Sequence, residues 1–95
     1  MVEQGEILKV EGIKFQVIVV SNQHMNQSNL VTVCPIMKLD NRTTLSIPLE
    51  EDMYAICDTI KQLDLDARRF SIKGRVPLFR LIQIIDMIQS MFDYY

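Results

Sequence analysis

The sequence predicts a mainly β domain with one carboxy-terminal helix, and three features of its 95 residues carry that expectation. Up to residue 76, short apolar runs rich in β-branched residues alternate with glycine, proline and polar turns, which is the pattern of short strands. From Pro77 onward "PLFRLIQIIDMIQSMF" changes to helical spacing. With 48% hydrophobic and 23% charged residues, the composition supplies one ordinary globular core and leaves no linker, repeat or low-complexity tract. A single domain over residues 1–95 follows, with five or six short strands closing into a small barrel.

The first two strands are "EILKV" and "IKFQVIVVS", joined by a tight turn at Glu11 and Gly12, where glycine reaches positive φ without strain. Val17 to Val20 form a continuous apolar run, so that strand is expected to be buried on both faces. A polar loop from Asn22 to Asn29 follows, and His24 in it is expected to be solvated. "LVTVCPIM" is a third strand in which Pro35, lacking an N–H, implies a bulge or an edge. Asp40 to Thr43 read as a turn, giving a second hairpin into the short strand "TLSIPL", which Pro48 ends.

Glu50, Glu51 and Asp52 make an acidic turn, expected to be solvated. "MYAICDTIKQLD" reads as one long fifth strand with Ala55, Cys57 and Thr59 on one face and Ile56, Asp58 and Ile60 on the other. Asp58 then stands among apolar neighbours. "SIKGRV" returns to the sheet, and Pro77 takes the first position of a helix running to about Phe92. The stripe Leu78, Leu81, Ile82, Ile85, Ile88 and Phe92 is expected to face the sheet. Ile84, Met87 and Met91 add a second stripe, wide enough for a homodimer or partner contact.

A net charge of −2 argues against indiscriminate binding to nucleic acid or anionic membrane. No signal-peptide pattern or membrane-length apolar run is present, so a cytoplasmic location without membrane attachment is expected. Cys34 and Cys57 lack histidines at metal spacing and read as buried reduced thiols; neither a metal nor a cofactor is implied.

The segments "QGEILKVEG", "VIVVSN", "VTVCPI" and "AICDTIKQLDLDAR" occur in the order and spacing of the MazF/PemK-like toxins, and this resemblance spans nearly the whole chain. Its most specific part is "CDTIKQLDLDAR", where Asp58, Lys61, Asp64, Ala67 and Arg68 match the family's pattern. The resemblance implies a homodimeric SH3-like barrel of the CcdB/MazF/PemK kind. It also implies a growth-inhibiting, metal-free, sequence-specific endoribonuclease (mRNA interferase) acting on single-stranded RNA, and a cognate antitoxin peptide or protein that blocks the groove.

Metal-free RNA cleavage needs a base for the 2′-hydroxyl proton, an acid for the leaving 5′-oxygen and cationic donors around the phosphorane. The resemblance places an arginine before a proline at the entrance of the second strand and a hydroxyl residue after the third. Counting along this chain puts Phe15, Gln16 and Met37 at those positions. Lys14 and Lys38 are the adjacent substitutes, and with Asp58 and Lys61 they form the expected catalytic set. Arg68, Arg69 and Lys73 are expected RNA contacts, and Phe15 stacks on bases, with Phe70 a further candidate.

Three functions remain open at this point: a toxin component cutting RNA by a variant site, a catalytically silent relative that binds an antitoxin, a related toxin or nucleic acid, and a small interaction module without a nucleic-acid role.

Overall fold

A computed structural model describes residues 1–38, 45–92 and 94. Among the described residues seven strands and two helices are formed: β1 Glu6–Val10, β2 Val17–Val19, α1 Gln23–Asn26, β3 Leu30–Lys38, β4 Ser46–Pro48, β5 Met53–Ile56, β6 Lys61–Asp64, β7 Phe70–Arg75 and α2 Leu78–Ser90. The strand order is β4-β5-β3-β2-β1-β7, with β6 also paired to β3, and every ladder is antiparallel. The mainly β architecture with its carboxy-terminal helix is therefore as expected. The barrel is not closed by a ladder among the described residues, because β4 and β7 end the path on opposite sides.

The nine-residue β3 organises the sheet. One flank pairs with β2, while the other pairs first with β6, through Leu30 to Val33, and then with β5, through Ile36 to Lys38. Ile36 N–H donates to the Gln16 carbonyl on the β2 side at 2.9 Å. By alternation the Pro35 nitrogen faces the other flank, in the gap where β6 has ended and β5 has not begun. Pro35 thus sits centrally in β3, neither at an edge nor in a bulge, at the one place where the missing donor costs nothing.

β2 is buried on both faces, as its continuous apolar run predicted. Val17 and Val19 join a core with Val2, Leu8, Val10, Val31, Val33, Leu63 and Leu65, whereas Ile18 joins Cys34, Ile36, Ile47, Ala55, Cys57, Val76 and Ile84 on the other side. Ser21 and Asn22 at its end have structural roles. The Asn22 side chain accepts from His24 and Met25 N–H groups and caps α1, a helix within the expected polar loop. Asn26 is fully buried and donates to the Val2 and Ser21 carbonyls, and the Ser21 hydroxyl donates to Asn26 and accepts from Thr32 N–H. His24 is exposed on α1.

Several boundaries differ from the sequence reading. The turn at Glu11 and Gly12 forms, with Gly12 at φ +85°, but β2 starts only at Val17. Lys14, Phe15 and Gln16 therefore lie in a connection, whose carbonyls at Ile13 and Lys14 are held by the Lys9 ammonium at 2.9 and 3.2 Å. β4 pairs with β5 through the acidic turn rather than forming a hairpin with β3. The expected turn at Asp40 to Thr43 lies outside the described residues.

The expected long fifth strand is two strands. Cys57 N–H donates to the Leu45 carbonyl, continuing the β4–β5 register by one residue, and Asp58 to Ile60 then cross the gap opposite Pro35 before β6 begins. Asp58 is consequently exposed rather than set among apolar neighbours.

Helix α2 spans Leu78–Ser90, with Pro77 extended at the cap position, ψ 149°, so the helix starts one residue later than expected. Its inward face is centred on fully buried Ile84, flanked by Leu81, Ile85, Met87 and Ile88. Of the stripe expected to face the sheet, Leu78, Ile82 and Phe92 are instead 71%, 51% and 69% exposed. The helix is rotated relative to that reading, because its N-terminus is fixed by Val76, whose N–H donates to the Gly5 carbonyl.

Candidate functional site

A groove of about 540 Å³ opens where the β4–β5 turn, the start of α2 and the end of β7 meet the sheet. Its floor is apolar, formed by Ile7, Ile36, Leu49, Met53 and Val76. Its rim carries Gln16, Glu50, Glu51, Phe79, Arg75 and Arg80. Glu51 takes φ +54° to close the turn, in which Met53 N–H donates to the Glu50 carbonyl at 3.0 Å. The acidic turn predicted from sequence is therefore present, and it forms a groove wall.

The two rim arginines reach the groove by different routes. Arg75 ends β7, pairs with Glu6 across β1, and is held by the Gln4 carbonyl at 3.2 Å and the Glu3 carboxylate at 3.4 Å. Arg80 lies in the first turn of α2, with its guanidinium 4.8 Å above the Phe79 ring and donating to Gln83 Oε1 at 3.1 Å. Neither was singled out from the sequence. The available signal was an arginine on each side of Pro77, at the strand-to-helix junction.

The structure places the predicted catalytic residues in two separate regions. Lys38 lies opposite Met53 and two residues from Ile36, so it belongs to the groove face of β3. Lys14 stands two residues before Gln16 in the exposed connection, where strand alternation does not constrain it. Lys61 lies opposite Val33, on the other face of β3 and five residues from Lys38, about 17 Å along the strand. Asp58 occupies the exposed crossing before β6 and makes no ion pair with Lys61, the ion pair between described residues being Arg75 with Glu3. Lys38 and Lys61 are thus not brought together within one chain. Met37 is half-buried opposite Tyr54.

The predicted RNA contacts form a different group. Glu11 N–H donates to the Arg69 carbonyl at 2.8 Å, and the Arg68 guanidinium lies 3.7 Å from where a side chain at Gly12 would begin. Arg68 and Arg69 therefore adjoin the connection that carries Lys14 and Phe15. Phe70 lies beside them opposite Val10, and Phe15 and Phe70 are 43% and 39% exposed, leaving ring surface open to a ligand. Lys73 lacks a partner at the register shift between β1 and β7. Asp64 accepts from Asp66 N–H at 3.0 Å, and its carbonyl accepts from Ala67 N–H, so in "DLDAR" it closes a turn.

The two cysteines are free and buried. Burial, and then the neighbouring Asp58 charge, push the Cys57 thiol up to about 11. Burial, and then Cys57, push Cys34 higher still. Thiols held protonated in this way make poor nucleophiles. Among the described residues no group of three or more His, Cys, Asp or Glu side chains is placed to hold a metal ion, and no helix is long and apolar enough to cross a membrane.

Comparison with known proteins adds an independent line. The model of the PemK-like, MazF-like toxins of type II toxin-antitoxin systems matches residues 9–92. No curated protein sequence matches the chain. Among solved structures, a MazE-MazF complex from Deinococcus radiodurans superposes with a TM-score of 0.83 at 17% identity, covering 95% of this chain and 94% of that one. A mycobacterial endoribonuclease in complex with its cognate antitoxin gives 0.81 at 13% identity over 100% of both chains. The Mycobacterium tuberculosis toxin MazF-mt6 gives 0.69 at 14% identity over 95% and 97%. At these identities the likeness is one of fold.

Proposed function

The chain belongs to the PemK-like, MazF-like toxins of type II toxin-antitoxin systems, and from that premise we propose that it is a toxin component that binds and cleaves single-stranded RNA and is held in check by a cognate antitoxin. The observation that carries the reading is the family match across residues 9–92. Structural relatives in complex with MazE or with a cognate antitoxin support the antitoxin part.

In the proposed reaction a base takes the proton of a 2′-hydroxyl. The 2′-oxygen bonds to the adjacent phosphorus, the bond from phosphorus to the 5′-oxygen breaks, and that oxygen takes a proton. The products are a 2′,3′-cyclic phosphate and a 5′-hydroxyl end. The protein supplies orientation and donors for the negative charge that grows on the phosphorane. Lys38, on the groove face, and Lys14, beside Gln16, are the proposed cations at the sheet end of the groove. Arg68, Arg69, Lys73 and Phe15 guide the chain beyond it. Asp58 and Lys61 enter this reading as outlying contacts to the RNA rather than to the reacting phosphate. One domain acting as a cytoplasmic homodimer completes the proposal.

Phe15 and Met37, at the positions where the resemblance implies an arginine and a hydroxyl, favour a second reading. In it the protein is a silent relative that binds an antitoxin, a related toxin or nucleic acid without cutting. Incubating the purified protein with a long RNA and mapping the new ends separates the two. Cuts at a recurring short sequence, with cyclic phosphate ends and reduced in Lys14→Ala and Lys38→Ala, support the toxin reading. Intact RNA together with tight antitoxin binding supports the silent relative and overturns the cleavage reading.

A further inference from the structure

We infer that Arg75 and Arg80 form a paired guanidinium clamp that holds a phosphate of single-stranded RNA in the groove, an inference resting on the RNA-binding reading above. Both line one groove of about 540 Å³, approaching from β7 and from α2 on either side of Pro77. Each guanidinium is oriented by neighbouring groups: the Gln4 carbonyl and Glu3, outside the groove, for Arg75, and the Phe79 face on the rim with Gln83 for Arg80. A guanidinium has five N–H donors in a fixed plane, so these anchors leave donors for a phosphate while restricting the side-chain freedom that binding would otherwise remove.

The remainder of the rim favours a nucleotide over an acidic peptide. Glu50 and Glu51 accept only, and Gln16 both donates and accepts. Both an acidic peptide and RNA meet two like charges on that wall, but an acidic side chain brings no donor to it. A nucleotide offers phosphate acceptors to the arginines, and 2′-hydroxyl and base amino donors to the carboxylates. Phe79, 59% exposed and backed by the Arg80 guanidinium, presents a ring on which a base can stack. The chain thus carries fixed cations in the groove itself, supplied by its carboxy-terminal third, although the second-strand entrance has Phe15 and Gln16.

The test uses the full chain and a short fluorescein-labelled 2′-O-methyl RNA of mixed sequence, which cannot be cut at the 2′-oxygen, read by fluorescence anisotropy over a range of salt. Arg75→Ala and Arg80→Ala are each expected to weaken binding about tenfold. Each should also lower the slope of log affinity against log salt by about 0.7, the value for one released single-strand contact. Arg75→Lys and Arg80→Lys should restore the slope, since the charge returns, but only part of the affinity, since the planar fork does not.

Unchanged affinity and slope in both alanine variants, with wild type binding normally, would overturn the clamp and leave the RNA reading standing. No salt-dependent binding by wild type would overturn both. Alanine variants that lose an antitoxin peptide but keep the RNA would assign the groove to the protein partner and overturn the clamp.

Discussion

Replacing Ile84 by alanine should be among the most damaging single changes in the chain, while the same change at Ile82, two residues away, should be mild. Ile84 is fully buried in the second core against the sheet, whereas Ile82 is 51% exposed. Ile→Ala removes three carbons, worth about 0.8 kcal/mol each when fully buried, so about 2.4 kcal/mol at Ile84. The partly collapsed cavity adds about 1–2 kcal/mol, for a total of about 3–4 kcal/mol. At Ile82 half of the side chain is already in water and no closed cavity forms, which leaves about 1 kcal/mol. With a urea dependence of about 1.5–2 kcal/mol per molar, the unfolding midpoint should fall by about 2 M for Ile84→Ala and about 0.5 M for Ile82→Ala. Urea titration at low protein concentration, followed by far-UV circular dichroism, reads both. Equal shifts, or a larger one at Ile82, would refute the helix orientation and the packing argument built on it. A cost at Ile82 that grows with protein concentration would show that a second copy covers the outer face.

Gly5→Ala should cost about 1–3 kcal/mol, because Gly5 sits at φ +93° and an added Cβ would lie 3.1 Å from Leu81 Cδ2, whereas Gly12→Ala, at φ +85° with only Arg68 at 3.7 Å, should cost less; paired thermal melts decide this. Asn26→Leu should destabilise by about 2–4 kcal/mol, since it removes the amide donor from the Val2 and Ser21 carbonyls and the acceptor of the Ser21 hydroxyl proton, and denaturant titration measures the loss. Alkaline stability should depend on the thiols. Their folded pKa values are raised, so the contribution is fully present below the unfolded thiol pKa near 9.0 and is lost as pH rises toward the folded value of about 11 at Cys57. With both thiols titrating in the unfolded chain, stability should fall by up to about 2.7 kcal/mol per pH unit in that window, and much less in a Cys34→Ala, Cys57→Ala double variant, as urea midpoints from pH 8 to 10.5 will show.

The parts of this fold that were legible from sequence are those where one local pattern had a single solution. The run from Val17 to Val20 could only be a strand with apolar groups on both sides, and Val17–Val19 form one. The helix after Pro77 was equally plain, but its inward face was not. Leu78, Leu81, Ile82, Ile84, Ile85, Met87 and Ile88 cover so much of the helix that periodicity alone leaves its rotation open. The rotation is set by long-range partners: Gly5 fixes Val76, and Leu81 packs beside Gly5. Similarly, the polar pair Asp58-Thr59 was a visible interruption in the fifth apolar run, but its cause, the change of partner along β3 opposite Pro35, is tertiary.

The candidate site was less legible because its groove joins segments far apart in sequence. Gln16, the acidic turn and the two arginines meet only after β1 has paired with β7 and β4 with β5. Lys14 and Lys38 were found by counting from strand ends, a procedure that cannot reveal Arg75 or Arg80. Counting also treats residues before Val17 as strand, where the chain is in fact a connection pinned by Lys9.

The outermost strand bears on how the protein behaves when concentrated. All six residues of β7 are exposed, β1 alone pairs with it among the described residues, and among these its other side presents an unpaired backbone beside Phe70 and Ile72. Such an edge is a template on which further chains can stack into fibres. The register shift that leaves Lys73 without a partner kinks the strand and sets a charge in the middle of that template, so continuous pairing with an incoming strand is interrupted there. Lys73 therefore acts as a gatekeeper against self-association, and substituting it with a β-branched apolar residue should lower how much protein remains in solution while leaving the folding stability of the single chain nearly unchanged.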